Sequence, residues 1–301
     1  MVESAEALLD QEIKVLDKGF VRLVDYMGGD ERIVQSARVS YGAGTKTVRQ
    51  DRGLIHYLMK NWHTSPFEQV QLTFHTKMPI FVARQWVRHR TARLNEISGR
   101  YSVMKDEFYV PEPQHIRPQS ADNKQGRSEE RFTEDEEREI AELFETEQAG
   151  IYRNYEKLLD KNVARELARN NLPLSLYTEW YWQIDLHNLF HFLKLRLDAH
   201  AQYEIRVYAE AMAKCAKAVA PLAYEAFEEH VLGSVTFSRA ECEALHALLN
   251  QNEIALTGKP LQAFEAKLER LQSAEAAPPS EEPAVSAALS EGWHAASVQT
   301  I

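Results

Sequence analysis

The stretch Pro79–Tyr101, PIFVARQWVRHRTARLNEISGRY, constrains this chain more than any other. It gathers Arg84, Arg88, Arg90, Arg93 and Arg100 with His89 against a single acid, Glu96, in a protein whose formal charge is −10. A cationic cluster inside an acidic chain calls for a particular anion, because guanidinium forks match phosphate and carboxylate bidentately. Pro79 suits the first position of a helix, where its missing N–H costs nothing. Ile80, Ala83 and Val87 then recur at helical spacing and predict a buried stripe. Gln85 and Arg88 share another face and can reach one ligand together. Asn95, Ser98 and Gly99 predict a polar loop after the helix, and Gly99 would let backbone amides approach a ligand closely. In isolation the cluster also fits a solvated helix face or a nucleic-acid patch. The interleaved Gln85, Asn95, Glu96 and Ser98 argue against both, since neither needs that mix.

At 301 residues and 44% hydrophobic, the chain can bury one large core or two modest ones. No apolar run approaches the roughly 20 residues of a membrane span. The opening MVESAEALLDQE lacks the basic-then-apolar layout of a signal peptide. Cys215 and Cys242 make neither a disulfide framework nor a C-x-x-C pair. A soluble, cytoplasmic protein is expected, without membrane or nucleic-acid partners, the latter because non-specific nucleic-acid binding rests on net positive faces.

Along the chain, residues 3–11 predict a short helix and Phe20 to Tyr26 a strand ended by Gly28-Gly29-Asp30. Glu31 to Val39 and Val48 to Trp62 predict helices. Val70, Leu72 and Phe74 alternate with polar residues as a half-buried strand leading into the Pro79 helix. Glu107 to Val110 predicts another short strand, stopped by Pro111 and Pro113, and 114–127 an exposed loop. Thr133-Glu134-Asp135-Glu136 is a capping-box pattern for a helix running towards Lys161. Asn162 to Asn170 and Asp198 to Val219 predict further helices, and Tyr177 to Ile184 a strand or buried turn. A second capping box, Ser238 to Glu241, opens a C-terminal helical region, with another helix over Pro260 to Leu271. From Ser273 the composition is low-complexity, and a mobile tail is expected. Helices mixed with non-consecutive strands, and no G-x-G-x-x-G after a strand, point to an α+β fold. The expected organisation is a catalytic domain over 1–235, a helical extension over 236–272 and a tail over 273–301.

Arg88-His89-Arg90, seven further residues and then Ser98 resemble the signature of the flavin-dependent thymidylate synthases. The flanking Ala83-Arg84-Gln85-Trp86, Asn95-Glu96 and Gly99-Arg100-Tyr101 extend that resemblance. So do His63-Thr64-Ser65-Pro66-Phe67-Glu68 upstream and Leu195-Arg196-Leu197-Asp198-Ala199-His200-Ala201-Gln202 downstream. Three blocks in order, within residues 12 to 235, are more specific than one short motif. The region beyond 235 carries no such motif.

The resemblance implies the thymidylate synthase-complementing protein fold, a mixed or antiparallel sheet flanked by helices. It also implies reductive methylation of dUMP to dTMP, with methylenetetrahydrofolate as carbon donor and NADPH-reduced FAD as hydride donor, in a homotetramer with shared active sites. Carried over residue by residue, it puts the substrate against Gln85, Trp86, Val87, Arg88, Glu96, Ile97, Ser98, Gly99, Arg100, Arg169 and Arg196. FAD falls to Ser65, Arg88, His89, Arg90, Glu96, Asp185, Leu186, His187 and His191, and His63 and Trp86 are expected to border the flavin or folate. Arg196 takes the catalytic role, a cation against the uracil ring; read alone, it could equally salt-bridge Asp198. Arg93 stands where many relatives have serine. His187 and His191, four apart, suggest a metal pair, but no third ligand has convincing spacing and no metal is expected. Ser98 lacks a base that would make it a nucleophile. A non-catalytic nucleotide- or RNA-binding protein, or another flavoenzyme, are the rival readings.

Overall fold

In the computed structural model, which describes residues 3–39, 48–121 and 126–275, the elements run in the following order. They are α1 (Glu3–Glu6), β1 (Glu12–Val15), β2 (Gly19–Met27), α2 (Asp30–Arg38), α3 (Val48–Lys60), β3 (Gln71–Pro79), α4 (Ile80–Trp86) and β4 (Ala92–Glu96). Next come α5 (Glu134–Asp160), α6 (Arg165–Ala168), β5 (Tyr177–Asp185), α7 (Leu186–Arg196), α8 (Tyr203–Val219) and α9 (Pro221–Phe227). A second unit, from Ser234 onward, holds α10 (Arg239–Leu249) and α11 (Gly258–Glu275). Among the described residues no helix is long and apolar enough to cross a membrane.

The first unit is built on one sheet of order β1-β2-β3-β5-β4, and every neighbouring pair is antiparallel. Period-two alternation sends Leu72 and Phe74 of β3 and Trp180, Trp182 and Ile184 of β5 into the core, while Tyr181 faces outward. Pairing of β3 with β5 sets Gln71 opposite Asp185 and Pro79 opposite Tyr177. Helices α4 and α7 therefore leave the sheet from opposite ends of this pair. Both fold back over its buried face, and Trp86 of α4 meets Phe192 of α7 with ring centroids 5.1 Å apart.

Several expectations shift. Pro79 is the last residue of β3 (φ −61°, ψ 145°), so the helix begins at Ile80. Its buried face is Val82, Ala83 and Trp86, while Ile80 and Val87 are only half-buried. The residues after it, read as loop, include β4. Glu107 to Val110 makes no strand, only a single bridge from Phe108 to Leu176. The helix expected over Asn162–Asn170 is α6 followed by a 3-10 turn at Arg169–Asn171, and α8 begins at Tyr203 rather than Asp198. Strand β1 was not predicted, although Ile13 and Val15 alternate with Glu12 and Lys14. The Thr133 capping box is present, with Thr133 Oγ1 accepting from the Glu136 amide and Glu136 Oε2 from the Thr133 amide.

In the second unit the Ser238–Glu241 capping box opens α10, and Lys267 Nζ of α11 donates to Glu241 Oε1 at 2.6 Å. Phe264 is fully buried, with Phe237 packed edge-on against it. The tail expected from Ser273 begins inside α11, which runs to Glu275, and the rest of it, from 276 onward, lies outside the described residues.

Candidate functional site

The C-terminal ends of α4 and α7 converge. Arg196, in the last turn of α7, donates from Nη2 to the Gln85 carbonyl at 3.2 Å, one of the acceptors that α4 leaves free as it ends. From Nε it donates to His89 Nε2 at 3.1 Å. Burial, and then the neighbouring Arg88, lower the Arg196 pKa. Among the described residues neither Arg88 nor Arg196 has an acidic partner. Two adjacent guanidiniums, one half-buried and neither neutralised, make a vacancy for negative charge.

His89 is the hinge of this cluster. Because its Nε2 accepts from Arg196, its proton sits on Nδ1 and the ring is neutral. Burial, then Arg196 and His191, push its pKa down to about 4 from the usual 6.5. Between these values the unfolded chain takes up a proton that the folded chain refuses. His89 should therefore leave stability intact above pH 6.5 and cost it progressively as pH falls towards 4. The expected loss is on the order of 1–2 kcal/mol once partial exposure is discounted. Melting curves of wild type and His89→Gln across that window should diverge as the pH drops; parallel curves would remove His89 from the acid sensitivity.

Beside the cluster lies a cavity of about 230 Å³ walled by Trp62, Phe67, Phe190 and Phe227, with His63, His187, His191 and Lys194 at its polar edges. Lys194 Nζ stands 5.8 Å from the centre of the Trp62 ring. Trp62 is 66% exposed and adopts a left-handed φ of 59°. It escaped the sequence reading, as did Lys194, although a tryptophan directly before the His63 motif was a usable signal. The walls fit a planar aromatic group such as a flavin or a pterin, and the nearby arginines suit its phosphates.

A second group forms at the far end of β4. Ile97 N–H donates to the Glu179 carbonyl at 2.9 Å, continuing the ladder, and the chain then turns tightly as the Tyr101 and Ser102 amides donate to the Ser98 carbonyl. Glu96 accepts from Thr178 Oγ1 at 2.6 Å. Gly99 also lets neighbours pack closely: a Cβ there would sit 2.9 Å from Arg169 Cδ and 3.1 Å from Met104 Sδ. Arg100 pairs with Glu166 at 3.1 Å, both exposed. The five residues of β4 separate the two groups by roughly 13 Å along the strand. The chain thus brings together Gln85, Arg88, His89, His191 and Arg196 at one end, and Ser98, Gly99, Arg100 and Arg169 at the other.

The remaining expected residues divide by side chain. Trp86 is fully buried against Trp180, Trp182, Phe192 and Tyr208, so its ring belongs to the core and cannot border a ligand. Leu186 is likewise fully buried and offers only backbone. Asp185 caps α7, accepting from the Asn188 amide at 2.9 Å. Val87 is half-buried, whereas Ser65, Arg90 and Ile97 are exposed. Asp198 accepts from the His200 ring at 2.8 Å.

An antiparallel α+β protein with an aromatic-walled cleft beside unneutralised guanidiniums is built to hold ring-bearing anions. Residues 22–222 match the family described as thymidylate synthase complementing protein, and residues 235–274 match the thymidylate synthase ThyX C-terminal domain. The chain belongs to the thymidylate synthase complementing protein family, and the second match carries the likeness past residue 235, where the motifs stop. A flavin-dependent thymidylate synthase of Treponema denticola is 64% identical over 260 residues, 86% of this chain and 98% of that protein. One from Treponema pallidum is 58% identical over 268 residues, 89% and 88% of the two chains. Among solved structures, a UMP/dUMP methylase from Streptomyces cacaoi bound with 5-Br UMP aligns with a TM-score of 0.65 and 33% identity. That alignment covers 73% of this chain and 97% of that one, and a second structure holds 5-Br dUMP.

Proposed function

We propose that this chain is a flavin-dependent thymidylate synthase converting dUMP to dTMP, with methylenetetrahydrofolate as carbon donor and NADPH as reductant of bound FAD. The single observation that carries the reading is the Arg196 guanidinium, fixed by His89 and the Gln85 carbonyl and left, among the described residues, without an acidic partner. Uracil C5 is a weak nucleophile. A fixed cation at the N3/O2 edge favours the charge that builds on the ring as C5 attacks the one-carbon unit. Bound reduced FAD would supply the hydride that completes the methyl group. The chain's own part is binding and polarisation: Ser98, Arg100 and Arg169 with Arg88 and Gln85 take the nucleotide phosphate and sugar, and His63, His187 and His191 edge the flavin cleft.

A homotetramer with shared sites is part of this reading. It is supported by the separation of the two basic groups across β4 and by exposed apolar Leu94, Ile97, Tyr101 and Tyr181 around them. We place the catalytic domain at 1–235, the helical extension at 236–272 and the protein in the cytoplasm, in keeping with Cys215 and Cys242 standing unbridged. Thymidylate synthase activity is favoured over UMP methylation by the 64% identity to a relative bearing that name. The test is tritium release from [5-³H]dUMP by yellow purified protein, with [5-³H]UMP alongside. Release that requires both folate and NADPH is expected; a flavoprotein releasing none would be another oxidoreductase, and a colourless nucleotide binder would be no enzyme of this kind.

A further inference from the structure

Glu204, in the first turn of α8, has no part in the reaction above, yet it is only 1% exposed and fully engaged. Its Oε1 accepts from the Tyr109 hydroxyl at 2.9 Å and from the Arg127 guanidinium. Its Oε2 accepts from the Gln202 side-chain amide at 2.8 Å. Gln202 Oε1 in turn accepts from Gln85 Nε2 at 2.5 Å. Burial works against charge on Glu204, but Arg127 and then Gln202 overcome it and hold its pKa below the ordinary value.

An ionised carboxylate only accepts hydrogen bonds, whereas a glutamine amide can present either end. Glu204 therefore obliges Gln202 to turn its NH2 inward and its carbonyl towards Gln85. Gln85 must then spend one N–H on Gln202, which fixes the polarity of the amide it shows to the site. We propose that Glu204 is a positioning residue for the nucleotide, acting through Gln202 to set which end of the Gln85 amide the substrate meets. The inference rests on the reading that Gln85 touches the nucleotide.

The experiment is calorimetric titration of flavin-loaded protein with dUMP, accompanied by steady-state kinetics. Glu204→Gln keeps the shape but can donate, so it frees Gln202 and Gln85 to flip. It should weaken dUMP binding about tenfold, the worth of one well-placed hydrogen bond. Turnover at saturating dUMP should stay near wild type, a split between KM and kcat that general loosening of the fold would not produce. Gln202→Leu, at an exposed position, should do the same while leaving the buried carboxylate its Tyr109 and Arg127 partners, which keeps the test valid if Glu204→Gln folds poorly. Glu204→Gln added to Gln85→Ala should weaken binding no further than Gln85→Ala alone. Wild-type affinity in Gln202→Leu, equal factors in both backgrounds, or an innocuous Gln85→Ala would each overturn the relay alone. A wild-type protein with no affinity for dUMP would overturn the functional reading, and the relay with it.

Discussion

Arg196→Ala should lower dTMP formation by about 10²–10³-fold in kcat, the usual loss when one preorganised electrostatic donor is removed from a reacting centre. Melting temperature and flavin content should change little, because Arg196 is half-buried at a helix end and outside the apolar core. Arg196→Lys should recover only a fraction. An ammonium restores charge but not the fixed fork that reaches His89 Nε2 and the Gln85 carbonyl together. Single-turnover assays with prereduced enzyme separate this from slow reduction. If Arg196→Ala turned over dUMP like wild type once reduced, the guanidinium would have no role in activating the ring.

Trp86→Ala should act on stability instead, costing about 3–5 kcal/mol as expected for truncating a buried aromatic. The indole touches Trp180, Trp182, Phe192 and Tyr208, so the cavity would open where β5, α7 and α8 meet. Its Nε1 is buried without a hydrogen-bond partner, which makes Trp86→Phe much the milder change, since an unmet donor goes with the lost volume. Thermal melts read the difference directly. A Trp86→Phe protein that melted normally but bound flavin or dUMP poorly would return Trp86 to the ligand wall and contradict its burial.

The contrast between these residues explains what the sequence made legible. Guanidinium chemistry is intrinsic to a side chain, so the demand for an anion could be read from Arg88, Arg90 and Arg100 without coordinates. Where each side chain points depends on partners far along the chain. Asp198 lies two positions from Arg196 and looked the natural ion partner; the observed acceptor, His89, is 107 residues away. The partners that bury Trp86 come from β5, α7 and α8, about a hundred residues on. Strand β4 was hidden for a different reason: Ala92 and Leu94 alternate with Arg93 and Asn95, but the run is only five residues long and lies mostly exposed. Backbone pairing to β5, not side-chain burial, makes it a strand. Conversely, Glu107 to Val110 has a strand's composition, yet Pro111 follows and pairing stops at the single bridge from Phe108 to Leu176. Capping boxes at Thr133 and Ser238 were readable because all their partners lie within four residues.

Edge strand β4 also acts as a ruler between the two cationic groups. Its registry, Ala92 opposite Ile184 through Glu96 opposite Trp180, locks their spacing to a whole number of residues. One inserted residue would carry Ser98 and Arg100 onward by about 3.3 Å and invert which side of the sheet each intervening side chain addresses. Evolution can therefore exchange the amino acids along this segment far more freely than it can alter their number.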